Sequence, residues 1–416
     1  MNNLLQKINL LGDNIPWLHD FRQKGGETYM LNGIPSAKTE AWKYTKPNMF
    51  FANDFTAASS PEIIDDYTCD VPFDAFKIYF INGQFSPALS NLPSEVEVLP
   101  IIEAIMFQPS IRDKIGHICS NCQHPFAALN SYYLNEGVYI HIKPDTHLSK
   151  PIVLINHVAS NDVNPLINLR NLVVMDANSS ADLFEYYDYH GDIKSSYFVN
   201  VVNEIYIDAH ANLHHYKVQN EAFKALHIAL NCVDIKQNGS YNSFCLQKGA
   251  DLARNETLVT LSEPQARAEV NAAYSMNGWA TIDTTTDIKH LTSDTFSSQL
   301  VKGVVAGQAK GVFQGKIHIA PYAIKSQGYQ LHRALLLSDE AEVDVKPELE
   351  IFADDVKCSH GSACGQIDQE QLFYMRSRGL SETEAKAILV NAYLEEVIAK
   401  VDNEKIAEWI KLLLKS

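Results

Sequence analysis

From about residue 136 to 357 the chain reads as a succession of short β-rich runs, and no amphipathic stretch long enough for a crossover helix interrupts them. Val138–Ile142, Ile152–Val158, Leu172–Met175 and Glu204–Ile207 are among the clearest. Small polar turns separate the runs, at Asp176–Ser180, Asp208–Asn212, Gln237–Ser240 and Ser338–Glu342, and the first three lie about 30 residues apart. The lack of crossover helices counts against βαβ units. An interval of that size suits a two-strand coil repeated along an axis. A sandwich turns about every 8–12 residues, and some spacings here fit that as well, so spacing favours a solenoid while leaving a sandwich open.

The flanks differ. Residues 1–135 are expected to be mostly helical, from the apolar spacing of Leu4, Leu5, Ile8 and Leu11 and of Ile101, Ile102, Ile105 and Met106. A polar, aromatic segment, Ile34–Thr45, lies between them. Residues 358–416 are expected to form a loop and a helical domain. One helix spans Gln369–Ser377 and stops at Gly379, and the capping box Ser381-Glu382-Thr383-Glu384 opens a second. A third begins near Asp402 or Asn403, and its stripe of Ile406, Trp409, Ile410 and Leu413 is suited to packing on the second.

The chain has 416 residues, 46% of them hydrophobic, enough for a large core without covalent staples. Its 34 basic residues face 50 acidic ones, giving a formal charge of −16, and they form no basic run, which argues against binding to nucleic acid or to a membrane surface. No run of 18 apolar residues and no secretory leader is evident, so a cytoplasmic protein is expected. The seven cysteines, at 69, 119, 122, 232, 245, 358 and 364, are odd in number and scattered, which suits reduced thiols.

The densest chemical signal is Ile351–Gly365, which contains Cys358-Ser359-His360-Gly361. If this segment is extended, Cys358 and His360 share a face, and thiolate with imidazole suits iron or zinc. Two ligands do not complete a site, so a partner chain has to supply the rest. Lys357 favours the thiolate, whereas Asp354 and Asp355 oppose it. The cluster His117, Cys119, Cys122 and His124 resembles half a zinc site, but its ligands are too closely spaced to surround an ion, and ordinary packing is expected. His214, His215, His290, His318 and His332 are expected to be hydrogen-bonded structural residues, with Asp287 able to pair with His290. Gly303, Gly307, Gly311 and Gly315 recur every four residues and suit solenoid corners or bulges. The phosphate-binding loop, the Gly-x-Ser-x-Gly elbow and the His-Glu-x-x-His helix are all absent, so a non-catalytic protein is expected.

Asp339–Gly365, with Glu342–Glu350 leading into Ala353–Gly361, resembles the signature of the SufB/SufD family. Glu40–Thr45, Pro125–Asn130 and Phe373–Gly379 resemble other family stretches in the same order, so the likeness spans nearly the whole chain. The Cys-Ser-His-Gly form and the length resemble the SufD branch more than the SufB branch. The resemblance implies a mainly β fold, a flattened right-handed parallel β-helix between helical N- and C-terminal regions. It further implies a non-catalytic scaffold of the SUF system that pairs with SufB through the β-helix and docks the ABC-type ATPase SufC on its C-terminal helices, with ATP hydrolysed on SufC. Dimerisation of SufC would twist the scaffold pair and open its interface. A transient iron–sulfur cluster would form there, none being held stably by the isolated chain, and His360 and Cys358 match the family's interface ligands. An unpaired sheet edge also allows the isolated chain to form a homodimer. Here Ser362-Ala363-Cys364 replaces the family's Thr-containing stretch, and Cys364 is expected to be a packing residue rather than an extra thiol.

Two rivals remain at this stage. A β-helical polysaccharide-active enzyme would line an open cleft with Asp283, Asp287 and Asp294. A self-sufficient metal-binding protein would use the 117–124 cluster, or Cys358, His360 and Cys364 together.

Overall fold

The computed structural model describes residues 4–5, 10–36, 38–45, 47–58, 69, 71–119, 124–159, 164–190 and 195–415. Its body is a parallel β-solenoid of two facing sheets, each of ten strands among the described residues. Successive strands alternate between the sheets, so each pairs with the strand two places on. Leu226 aligns with Leu252, and Leu252 with Thr281, offsets of 26 and 29 residues that explain the turn interval seen in the sequence. A sandwich is thereby excluded.

The polar turns are the corners. Asn178, His210 and Asn238 take left-handed backbone conformations (φ 60°, 60° and 55°). Asn is among the residues that tolerate this best. Each corner N–H donates to the next coil, Asn178 to Ala209 O (3.0 Å), His210 to Gln237 O (2.9 Å) and Asn238 to Pro264 O (3.2 Å). The corners therefore stack in register, and strand alternation does the same for the interior. Val201, Ala229, Ala253 and Ile282 from the first wall share one core with Leu213, Tyr241 and Ala268 from the second.

The recurring glycines serve this interior. Gly307 (φ 66°) lies in a corner, whereas Gly303 and Gly311 leave room inside for the buried ring of Tyr274.

Both walls are covered on the outside. Trp42, Phe50, Phe55 and Phe126 pack on Phe198, Leu226 and Leu252 of the first wall. Leu394, Val397, Trp409 and Ile410 pack on Phe184, Tyr216 and Phe244 of the second.

The N-terminal region is mixed rather than mostly helical. Leu4 and Leu5 are not helical, Ile8 lies outside the described residues, and the first helix is Pro16–Asn32. Ile101–Phe107 is helical as expected. Phe76–Ile81 extends the second wall in parallel with Ile152–Val158, and Glu97–Pro100 pairs antiparallel with Val138–Ile142 of the first. These N-terminal strands, with antiparallel Gln84–Ser86, finish one end of the solenoid. The other end stops at Glu342–Ile351 and Lys357–Gly365, with no further strand on either edge among the described residues. The segment expected to begin the C-terminal loop at residue 358 is therefore the last strand of the second wall. The C-terminal helices follow as expected, Gln369–Ser377, Glu382–Ile398 and Glu404–Lys415, with both hydrogen bonds of the Ser381 capping box formed.

Candidate functional site

The last strand pairs in parallel with Gln327–Leu336, which sets Cys358 beside Gly328, His360 beside Gln330, Ser362 beside His332 and Cys364 beside Ala334. Gln330, His332 and Ala334 are sealed inside the solenoid. Cys358, His360, Ser362 and Cys364 continue that inward-facing set, but no coil covers them, so the interior face is laid open here. His360 and Cys364 are exposed and Cys358 is half-buried against the cluster of Ile317, Ile319 and Ala323. At about 3.3 Å per residue, the Cα atoms of Cys358 and His360 are about 7 Å apart on one face. Burial pushes the Cys358 thiol above its ordinary range, while a hydrogen bond from the Gly328 backbone pulls the other way.

Cys364 is not a packing residue. It lies at the open end, where strand alternation places it on the face of Cys358 and His360, about 13 Å along the strand from His360.

The other sequence candidates are dispersed. His124 caps the helix Pro125–Tyr132 by accepting from Ala127 N and pairs with Glu256 (2.8 Å), and Cys119 is buried beside Cys232. Cys122 lies outside the described residues. His215 bonds Glu185 (2.6 Å) and Tyr241 (2.8 Å), and His290 bonds Thr295 and Ser297 (2.8 Å each). His332 bonds Tyr274 (2.9 Å), while His214 and His318 pair with Asp182 (3.0 Å) and Glu350 (3.1 Å). These are structural roles, as expected. Asp287 and His290 do not pair. They are an odd number of residues apart on one strand, so His290 points inside and Asp287 outside. Nor do the three aspartates line a cleft together. Asp283 is fully buried against Arg254, Asp294 sits in a corner (φ 60°), and only Asp287 borders the cleft of about 480 Å³ on the first wall. Among the described residues no three His, Cys, Asp or Glu side chains converge in a way that could hold a metal ion.

Sequence reasoning missed the buried ion pairs. Arg170 and Glu204 are both fully buried, with nitrogen–oxygen distances of 2.9 and 2.5 Å. Arg254 bonds Glu256 and Asp283 under the ring of Trp42, 4.4 Å from its centroid. The available signal was the charged residues inside otherwise apolar strands, such as Arg170 in Pro165–Met175.

The fold and this end define a class: a parallel β-solenoid with one finished end, one open end and a helical cover on each wall. Residues 157–393 match the family model described as SUF system FeS cluster assembly, SufBD core domain, and residues 6–154 match that of the SufBD protein N-terminal region. The chain belongs to the SufB/SufD family of SUF-system iron–sulfur cluster assembly proteins. It is 28% identical over 411 residues to the iron–sulfur cluster assembly protein SufD of Escherichia coli, covering 95% of this chain and 94% of that one. It is 29% identical over 388 residues to a SufBD family protein of Synechocystis, covering 88% and 84%. Protein ABCI7, chloroplastic, of Arabidopsis thaliana is 26% identical over 416 residues, covering 94% and 84%. No helix among the described residues is long and apolar enough to cross a membrane.

Proposed function

We propose that this chain is a non-catalytic, SufD-type scaffold that works in the cytoplasm. In this reading its open end pairs with a SufB-type solenoid, and its C-terminal helices dock a SufC-type ATPase on which ATP is hydrolysed. The nascent iron–sulfur cluster is cargo, built between the two solenoids, with His360 and Cys358 contributing one half of its cradle. The observation that carries this reading is the uncovered interior face at Lys357–Gly365, which presents a thiol and an imidazole side by side. Two unpaired edges flank that face and offer main-chain hydrogen bonds to another solenoid. Exposed Phe373 and Tyr374 on the helix Gln369–Ser377 supply an apolar surface for a second partner.

The test is co-purification with SufB- and SufC-type partners followed by anaerobic cluster reconstitution. His360→Ala should leave solubility and assembly intact while lowering cluster yield, because an exposed side chain contributes little to the core. Full yield from a Cys358→Ser/His360→Ala double variant would refute the site, and tight stoichiometric iron on the isolated chain would refute the shared cradle. Removing residues 380–416, which takes away the helix Glu382–Ile398 against which Leu372 of Gln369–Ser377 packs, should abolish ATPase docking and spare the SufB-type contact.

A further inference from the structure

The layer of side chains directly beneath the candidate ligands contains a group whose hydrogen bonding is unfinished. Gln330 is the register partner of His360 on the neighbouring strand and is 3% exposed. Its side chain reaches across the coil to the opposite wall, where Nε2 donates to the Glu348 carbonyl (3.3 Å). The amide oxygen lies against Gly315 so closely that a Cβ at that position would come within 2.2 Å of it. This oxygen is buried and has no hydrogen-bond partner among the described residues. A buried acceptor left unmatched is costly. One strand further in, in the same column, Gln299 accepts from Thr286 (2.6 Å), and its Nε2 is also unmatched. An amide oxygen has two lone pairs, so the Gln330 oxygen can accept from Gln299 on one side and still take a second N–H on the other. His360 stands on the next strand, its Cα about 4.8 Å from that of Gln330, with its side chain on the same inward-facing side.

We propose that Gln330 is a positioning residue for His360, its amide oxygen accepting the imidazole N–H while the other ring nitrogen faces the metal cargo. This rests on the reading of His360 as a ligand. A ligating imidazole must hold its second N–H somewhere, and the acceptor of that proton fixes both tautomer and ring orientation. Exposed His360 has no hydrogen bond to any other described residue, and the buried Gln330 oxygen has none either, while the bond from its Nε2 to the Glu348 carbonyl holds the amide inside the coil. The two groups are complementary in proton count and adjacent by register.

The test uses the assembled scaffold complex with ferrous iron as probe, under anaerobic conditions, and compares Gln330→Leu, Gln330→Glu and His360→Ala. Gln330→Leu removes the acceptor at nearly constant volume and should weaken iron binding about 10- to 100-fold. Gln330→Glu keeps an acceptor oxygen and should restore most of the affinity, which a purely steric role for the side chain would not require. In a His360→Ala background, Gln330→Leu should add no further loss. Selective ¹⁵N-histidine spectra should show the His360 tautomer defined in the parent and mixed in Gln330→Leu. If His360→Ala weakens iron binding and Gln330→Leu does not, or if Leu and Glu weaken it equally, the positioning role falls while the ligand assignment stands. If His360→Ala itself has no effect, the underlying reading falls.

Discussion

Trp409 is the residue on which docking of the last helix depends most. In Glu404–Lys415 it is 5% exposed, and its ring centroid lies 4.8 Å from Phe184, 5.1 Å from Tyr186 and 5.7 Å from Phe73. A buried Trp removes on the order of 200 Å² from water, and at about 25 cal/mol per Å² that gives about 5 kcal/mol as an upper figure. Large-to-small changes of this kind cost about 3–5 kcal/mol in practice. The remaining anchors are Ile406 and Ile410, the bond from Lys248 to the Leu413 carbonyl (2.8 Å) and that from Asn403 to Asp182 (2.8 Å). They do not replace a ring at the centre of the contact. Trp409→Ala should therefore raise the local opening constant of residues 404–415 by about a hundred- to several-thousandfold, at 1.4 kcal/mol per factor of ten. The solenoid strands Ala225–Ile235 and Leu252–Leu261, which do not touch the ring, should keep their protection. Hydrogen exchange followed by peptide mass measures both at once. Unchanged exchange in 404–415 would refute the assignment of the anchor, and an equal rise in the solenoid strands would refute the separation of the helical cover from the coil.

Three further outcomes are expected. Gly303→Ala should lower the melting temperature, because its Cβ would come within 1.9–2.3 Å of the Tyr274 ring, a buried group fixed by His332; overpacking of this kind costs about 1–3 kcal/mol, and an unchanged melting temperature would mean that the ring can move aside. The hydrogen bond to Asp182 raises the pKa of His214 above its usual 6.5, burial opposes this, and the charges of Asp182 and Asp402 add to the rise; the contribution is fully present below pH 6.5 and is lost as pH rises through the higher folded value, so protease sensitivity around residues 400–405 should rise from pH 6 to 8 relative to His214→Gln, and a constant ratio would count against the pairing. In the isolated chain an alkylating reagent should modify Cys364 before buried Cys119, Cys232 and Cys245, and pairing with a SufB-type partner should protect it; early modification of the buried thiols would contradict their placement.

What the sequence disclosed and what it withheld follow from one distinction. Asn178, His210 and Asn238 announced corners because a left-handed turn restricts residue choice locally, and Ser381 with Glu384 announced a helix start for the same reason. Phe76–Ile81 gave no such sign. It is a short run of six residues, apolar but for Lys77, and periodicity alone cannot tell such a strand from a short buried helix. The parity of Asp287 and His290 was legible once the strand was known, since side chains an odd number of positions apart leave opposite faces. Cys364 departs from expectation for a different reason. Its local pattern is that of an interior thiol, and it alternates in phase with Ala334 and Gly303, which are interior. Only the strand count decides that no coil follows, and no single residue in the sequence encodes where the stack ends. The same fact creates the candidate site. A repeating coil makes inward-facing positions core everywhere except at its last turn, where one identical backbone register turns core positions into an exposed face. Cys358 and His360 sit in that last turn, so their chemistry is available because of where the repeat stops as much as because of which residues they are.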